Sequence, residues 1–286
     1  MIIWLASFPK SGNTFLRAML SAYFLTPDGI YQENSLLKIG QFPDMNLFEK
    51  YGVDKSSDLE FVKNYLNIQK KMNSISGKKI RFLKTHSSFL DINGYNFTDF
   101  ENTLGVIYIV RDPRTVVKSY ANHYQKSLEE AANRISKFVT IKDEIQLNGK
   151  KENRIVCHVG SWSDNYQSWK VLKKFNKYFL IKYEDLVNDT ENTFVKVLSF
   201  ISKLCNSRFV LDKTKLKNTI KSTSFGTMQR VEKDKGFAEA MTGKDGKKIT
   251  FFKYGPENNN LSLISKTVKE QIEKNFKNEL EELNYL

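Results

Sequence analysis

Residues 2–7, IIWLAS, form an unbroken apolar run, and a loop, FPKSGNT, carries it straight into residues of helical periodicity. Few folds accept that order. A strand-length run with no polar face must be covered on both sides, as in a parallel sheet between helix layers. Phe15, Leu16, Met19, Leu20, Tyr23 and Phe24 then recur at helical spacing. Strand, tight loop and helix in succession open an α/β fold.

The alternation continues along the chain. IRFLKTH (80–86) and LGVIYIV (104–110) read as strands. DPRTVVKSYANHYQ reads as a helix with Asp112 as cap and Pro113 at its first position. VGSWSDNYQSWKVLKKF reads as a helix, and YFLIKYEDL as a strand and its exit. NDTENTFVKVLSFI has a capping-box start, and LSLISKTVKEQIEKNFKNELEEL reads as one closing helix. Between these, the sequence predicts irregular chain over 26–50, a polar helix over 56–73 and an exposed lysine-rich loop over 137–154. A mobile loop is predicted over 222–260, where glycine, lysine and asparagine abound. These elements make one three-layer domain over 1–286, a central parallel sheet flanked by helices, with an insertion near 26–80.

Composition bounds the setting. Two cysteines, Cys157 and Cys205, exclude a disulfide framework and fit a reducing, cytoplasmic compartment. No apolar stretch reaches membrane-spanning length, so no membrane anchor is expected, and MIIWLAS reads as a strand rather than a signal peptide. The net charge of +13 is uneven: residues 203–253 hold thirteen Lys or Arg against five Asp or Glu. Neither zinc-finger spacing nor a basic helix backed by heptads accompanies it, so a polyanionic small ligand is expected rather than nucleic acid.

Ligands of such sheets bind beyond the carboxyl ends of the strands. Those ends read SFPKSGNT, LKTH, VRDP and KYED. The first departs from the nucleotide loop G-x-x-x-x-G-K-[ST]. With Thr14 on its last position, Gly12 matches, but Ser7 replaces the first glycine and Asn13 the lysine, which has moved to Lys10. The backbone N–H groups of residues 10–15 can still cradle a tetrahedral anion, with Lys10 adding charge. Arg111 can hold a second phosphate by its fork of donors, and Ser119, two helical turns on, can add a hydroxyl. Alone, Arg111 reads as readily as the partner of Asp112, and Ser119 as a solvated serine. His86 ends a strand on the ligand side and is the best general base; His123 lies one turn beyond Ser119; His158 reads as structural. No set of residues has metal-ligand spacing.

Taken in order, SFPKSGNTF, RFLKTH, VRDPRTVVKSY, GSW, YEDL, TSFGTM and FFKYG resemble a sulfotransferase of the family that uses 3′-phosphoadenosine-5′-phosphosulfate (PAPS). The resemblance covers nearly the whole chain and implies a P-loop-like fold, PAPS as sulfuryl donor, adenosine 3′,5′-bisphosphate as product, and no metal. It makes Pro9 to Thr14, including Lys10, Ser11, Gly12 and Asn13, the 5′-phosphosulfate loop. Arg111 and Ser119 would bind the 3′-phosphate, and Tyr183 would border the nucleotide. Thr223, Ser224, Phe225 and Met228 would lie along the adenosine. It makes His86 the catalytic base, Lys10 the stabiliser of the leaving group and Lys84 the support of the transferring group, with Ser119 holding Lys10 back until an acceptor arrives.

Three positions depart from that pattern. Phe15 stands where a tryptophan usually stacks on adenine. Lys253, Tyr254 and Gly255 stand for an Arg-Lys-Gly triplet. The family's dimer motif is reduced to Thr267 and Val268, so the sequence leaves the oligomeric state open. The acceptor is a hydroxyl- or amine-bearing small molecule, lipid or glycan, with Tyr23, His123, Tyr124 and Trp162 as candidate wall residues and segment 26–80 on its side. Two other readings remain: a small-molecule kinase with a P-loop, and a non-catalytic binder of nucleotides or sulfated glycans.

Overall fold

The computed structural model describes residues 1–53, 57–75, 80–147, 150–243, 246–255 and 260–286. Four parallel strands form its centre: β1 (Ile2–Ser7), β2 (Arg81–Thr85), β5 (Thr103–Val110) and β8 (Tyr178–Lys182), in the order β2-β1-β5-β8. Two hairpins stand apart, β3 (Asp91–Ile92) with β4 (Tyr95–Asn96), and β6 (Thr140–Leu147) with β7 (Lys150–His158).

The missing polar face of β1 now has its explanation. Ile2, Trp4 and Ala6 join Val106, Tyr108 and Val110 in one buried cluster; Ile3 and Leu5 join Ile107, Ile109 and Ile181 in the other. Alternate side chains point to opposite faces, and both faces are packed. The first cluster takes in α5 (Tyr65–Ile75), α6 (Pro113–Tyr124), α8 (Trp162–Lys170) and α13 (Lys266–Asn275). The second takes in α1 (Asn13–Leu25), α9 (Tyr183–Asn188), α10 (Thr190–Leu204) and α11 (Lys213–Ser222). Trp4 is buried whole because its indole N–H donates to Thr103 Oγ1 at 2.8 Å.

Register brings the strand ends level. Ala6 pairs Thr85, Ser7 pairs Ile109, and Val110 pairs Lys182. The loops after Ser7, Thr85, Val110 and Lys182 therefore open on one edge.

Several segments differ from their sequence reading. Residues 26–50 hold two short helices, α2 (Glu33–Leu37) and α3 (Met45–Lys50), and the polar helix is broken into α4 (Asp58–Lys63) and α5. The expected loop over 137–154 is largely the β6–β7 hairpin; the high lysine content masked an alternating pattern around an Asn148-Gly149 pair, a hairpin signal. The first half of the expected loop 222–260 is α12 (Phe225–Lys235). The start of α10 has no capping box: the Asp189 N–H continues from α9 to the Asp185 carbonyl, and its side chain accepts from Asn192. The closing helix splits at Phe276 (φ −124°) into α13 and α14 (Lys277–Glu282). The remaining helix, α7 (Leu128–Ile135), follows α6 and carries a capping box between Ser127 and Glu130.

Candidate active site

A cavity of about 1750 Å³ opens on the carboxyl edge of the sheet. Its floor is the turn between β1 and α1. Lys10 (φ 68°) and Gly12 (φ 97°) both take the left-handed conformation, which turns successive N–H groups inward. Gly12 is the N-cap of α1 and offers no side chain to its first N–H groups, and the first turn holds no acid. A thirteen-residue helix thus points uncapped donors and a positive dipole end at the cavity.

Asn13 occupies the position where a nucleotide loop would have its lysine, and it is used structurally. Its amide donates to the Leu5 carbonyl at 2.8 Å and to Ser7 Oγ at 3.1 Å, pinning the loop to β1. Ser11 Oγ is buried with no partner among the described residues, an orphan polar atom inside the loop. A Cβ on Gly12 would lie 2.3 Å from the Tyr183 ring, so glycine is required by space as well as by φ.

Arg111 leaves β5 beside this loop. Its guanidinium lies 4.1 Å from the Tyr183 ring centroid, donates to Thr115 Oγ1 at 3.0 Å and approaches the Lys10 carbonyl at 3.4 Å. Burial pulls its pKa below the ordinary value. Asp112 caps α6 and pairs with Arg114 at 2.7 Å. Ser119 lines the cavity two turns on. Lys118 and Lys253 gather nearby around Tyr254, and Lys253 bonds Asn122 Oδ1 at 3.0 Å. Gly255 packs so tightly on Phe225 that a Cβ would fall 2.6 Å from the ring.

His86 follows β2. Its Nδ1 lies 2.8 Å from the Ser7 carbonyl oxygen. A carbonyl only accepts, so Nδ1 carries the proton and Nε2 keeps its lone pair. Burial, then the charge of Lys84, pushes the imidazole pKa down to about 3. His123 is held down to about 3 by burial and by Lys10 and Lys84. Lys10 itself is lowered to about 7, chiefly by burial, with Glu239 opposing and Lys84 adding to the shift. Its ammonium sits 3.9 Å over the Phe251 ring. His158 makes a 3.2 Å contact with Thr140 Oγ1.

Two charged residues of this site escaped sequence reading. Arg17 is buried on α1 and donates to the Ile39 carbonyl at 2.7 Å and to Glu239. Glu239, from the stretch after α12, also accepts from Thr14 Oγ1 at 2.6 Å and lies 3.7 Å from Lys84 Nζ. Burial alone would raise the Glu239 pKa, but Lys84 and Arg17 outweigh it and hold the carboxyl well below the usual range. Arg17 is the one charged residue of α1, two positions beyond Phe15. No spacing ties residue 239 to residue 14.

The cavity wall also holds Phe15, Lys84, Thr223, Ser224, Met228, His123 and Tyr124. Thr223 Oγ1 caps α11 by donating to the Thr219 carbonyl, and Ser224 Oγ is bonded to Thr227 Oγ1. Tyr23 and Trp162 are not on that wall. Tyr23 packs on Phe194 and its hydroxyl accepts from the Asp212 N–H at 3.1 Å. Trp162 is 1% exposed, packed on Tyr166 and Phe276. Each lies in a core cluster because its helix turns that face to the sheet. Among the described residues, no His, Cys, Asp and Glu group could hold a metal ion, and no helix is long and apolar enough to cross a membrane.

Comparison with known proteins gives the family and the fold. The Sulfotransferase 2A1 of Rattus norvegicus is 26% identical over 144 residues, which is 50% of this chain and 45% of that protein. The Homo sapiens Sulfotransferase 2A1 is 26% identical over 143 residues, with the same shares. The matched stretch thus spans about half the length of these curated relatives. Over nearly the whole chain the fold is that of mouse sulfotransferase SULT7A1, solved with PAP (TM-score 0.55, 18% identity, 97% of this chain and 83% of that one). It is also that of retinol dehydratase, solved with retinol and PAP (TM-score 0.57, 14% identity, 98% and 81%). The sulfotransferase domain family matches residues 2–284, and the chain belongs to that family.

Proposed function

We propose that the protein transfers the sulfuryl group of PAPS to a hydroxyl or amine acceptor. One observation carries the reading: an uncapped helix N-terminus, entered through Lys10 and Gly12 in left-handed conformation, with the Arg111 guanidinium beside it. It offers anion donors at two places on one cavity. The orphan Ser11 Oγ suits a polar group seated in the loop.

In this reading the loop amides from Lys10 to Thr14 hold the 5′ end of the donor. Arg111 and Ser119 hold the 3′-phosphate, with Lys118 and Lys253 close by. Tyr183, Phe15, Thr223, Ser224, Phe225, Met228, Tyr254 and Gly255 border the nucleoside. The bound donor supplies an electrophilic sulfuryl group with a nucleotide leaving group. The His86 Nε2 takes the acceptor proton, and its Nδ1–H stays on the Ser7 carbonyl. Lys10 faces the charge that develops on the leaving oxygen, and Lys84 the transferring group. His123 and Tyr124 line the acceptor side. The chain acts as one domain in a cytoplasmic setting.

A kinase reading would need a cation at position 13, and Asn13 is committed to holding the loop. The test is calorimetry with adenosine 3′,5′-bisphosphate, adenosine 5′-monophosphate and ATP with magnesium. Tight binding of the bisphosphate alone is expected. Preference for ATP would overturn the proposal.

A further inference from the structure

Of the cavity's two described acids, only one is near the chemistry. Glu130 is committed to the cap of α7, its carboxylate accepting from the Ser127 N–H at 3.0 Å. Glu239 is inside the cradle. Its two oxygens take the hydroxyl of Thr14, a loop residue, and the guanidinium of Arg17, and Lys84 lies 3.7 Å away. It is thus fixed between the loop and the lysine assigned to the transferring group. Its charge also acts on Lys10, His86 and His123, which line the same cavity.

Such a placement is odd for a site that binds anions. A carboxylate there cancels one unit of the positive charge that Lys10, Lys84 and Arg17 supply. It also commits the Thr14 hydroxyl, which then has no proton left for a ligand oxygen. The cost falls unequally on different ligands. A sulfuryl end carries one negative charge and a phosphoryl end of the same shape carries up to two, so a fixed anion disfavours the second more than the first. Shape and hydrogen bonds hardly separate the two groups, whereas charge does.

Resting on the donor assignment above, we infer that Glu239 is a specificity-determining residue that makes the loop select a terminal sulfuryl group over a terminal phosphoryl group. It is fixed by Arg17 and Thr14, so it cannot swing away as an exposed carboxylate would. Its position on the stretch after α12 ties this selection to the segment that covers the cavity.

The experiment compares two isosteric ligands on the full chain by calorimetry, without acceptor: PAPS and adenosine 3′-phosphate 5′-diphosphate. It is run at about pH 8, where a terminal phosphate, with its second pKa near 6, is a dianion. Wild type should prefer PAPS. Glu239→Gln, whose amide oxygen can still accept from Arg17 while its NH2 donates to the Thr14 hydroxyl, should narrow the ratio by about tenfold or more, the size of one unit-charge interaction across a protein site. The gain should come mainly as tighter binding of the diphosphate. Equal affinities in wild type, or an unchanged ratio in the variant, would overturn the inference while leaving the donor assignment standing. If wild type bound neither ligand nor the bisphosphate, the donor assignment would fall, and this inference with it. Should Glu239→Gln not fold, Glu239→Asp, with its charge withdrawn by one methylene, should narrow the ratio by a smaller factor, and an unchanged ratio would be equally decisive.

Discussion

The imidazole of His86 and the carbonyl of Ser7 are joined across the edge of the sheet, Nδ1 to oxygen at 2.8 Å. Ser7 closes β1 and His86 follows β2, and these strands are paired in register through Ala6 and Thr85. The sheet itself therefore sets the tautomer. With Nδ1–H committed, Nε2 is the basic atom, and burial beside Lys84 keeps it unprotonated.

This has a consequence for pH. A free histidine titrates near 6.5, so a base of that kind loses activity as pH falls through 6.5. With its pKa lowered to about 3, His86 stays neutral throughout that range. The acid limb of kcat/KM should lie well below 6.5. A limb at 6.5 that vanishes in a His86 variant would contradict the buried-base reading.

Lys10 should titrate in the working range. Its pKa is lowered to about 7, mostly by burial. An anion in the loop favours the charged form, so binding above about pH 7 takes up a proton. Affinity for the bisphosphate should fall as pH rises beyond 7, at up to about tenfold per pH unit for one linked proton. Calorimetry in two buffers of different ionisation heat reads the uptake directly. Lys10→Ala should remove it, and an uptake that survives in Lys10→Ala would place the titrating group elsewhere.

Arg111 should separate ligands by their 3′ end. Arg111→Ala is expected to remove most of the preference for the 3′,5′-bisphosphate over the 5′-monophosphate, about 1.5–3 kcal/mol for a charged hydrogen-bonding group. Its packing on Tyr183 also matters to the fold, so the melting temperature belongs beside the affinity. A preference that is unchanged in a folded variant would move the 3′-phosphate away from Arg111.

Gly12→Ala tests the loop itself. The φ of 97° disfavours alanine by about 1–2 kcal/mol, and the new Cβ would press on Tyr183. Both Tm and bisphosphate affinity should drop. Adding Tyr183→Ala relieves the clash but not the φ, so rescue should be partial. Full stability and affinity in Gly12→Ala alone would mean that the loop is not built as described.

Much of this was legible in the sequence where chemistry is local. The apolar run of β1, the loop at Lys10 to Thr14, the exit of β5 at Arg111 and the end of β2 at His86 all follow from short motifs with a physical reading. Residues 141–147 were hidden because high charge and polarity mask strand alternation. Tyr23 and Trp162 look like wall residues by type, yet each is turned into the core by its helix phase, which composition does not reveal. Glu239 and Arg17 were out of reach for a further reason. Their meeting joins positions 222 apart, and only the folded path of the stretch after α12 brings them together.

The most direct test pairs two quantities on one variant. His86→Ala should lower sulfuryl transfer from labelled PAPS to any accepted substrate by at least about a hundredfold, the range lost with a general base. Its affinity for adenosine 3′,5′-bisphosphate should stay near that of wild type, because Nε2 serves the acceptor and not the nucleotide. Near-normal transfer by a folded His86→Ala protein would contradict the account, and His123 would then be the base to examine.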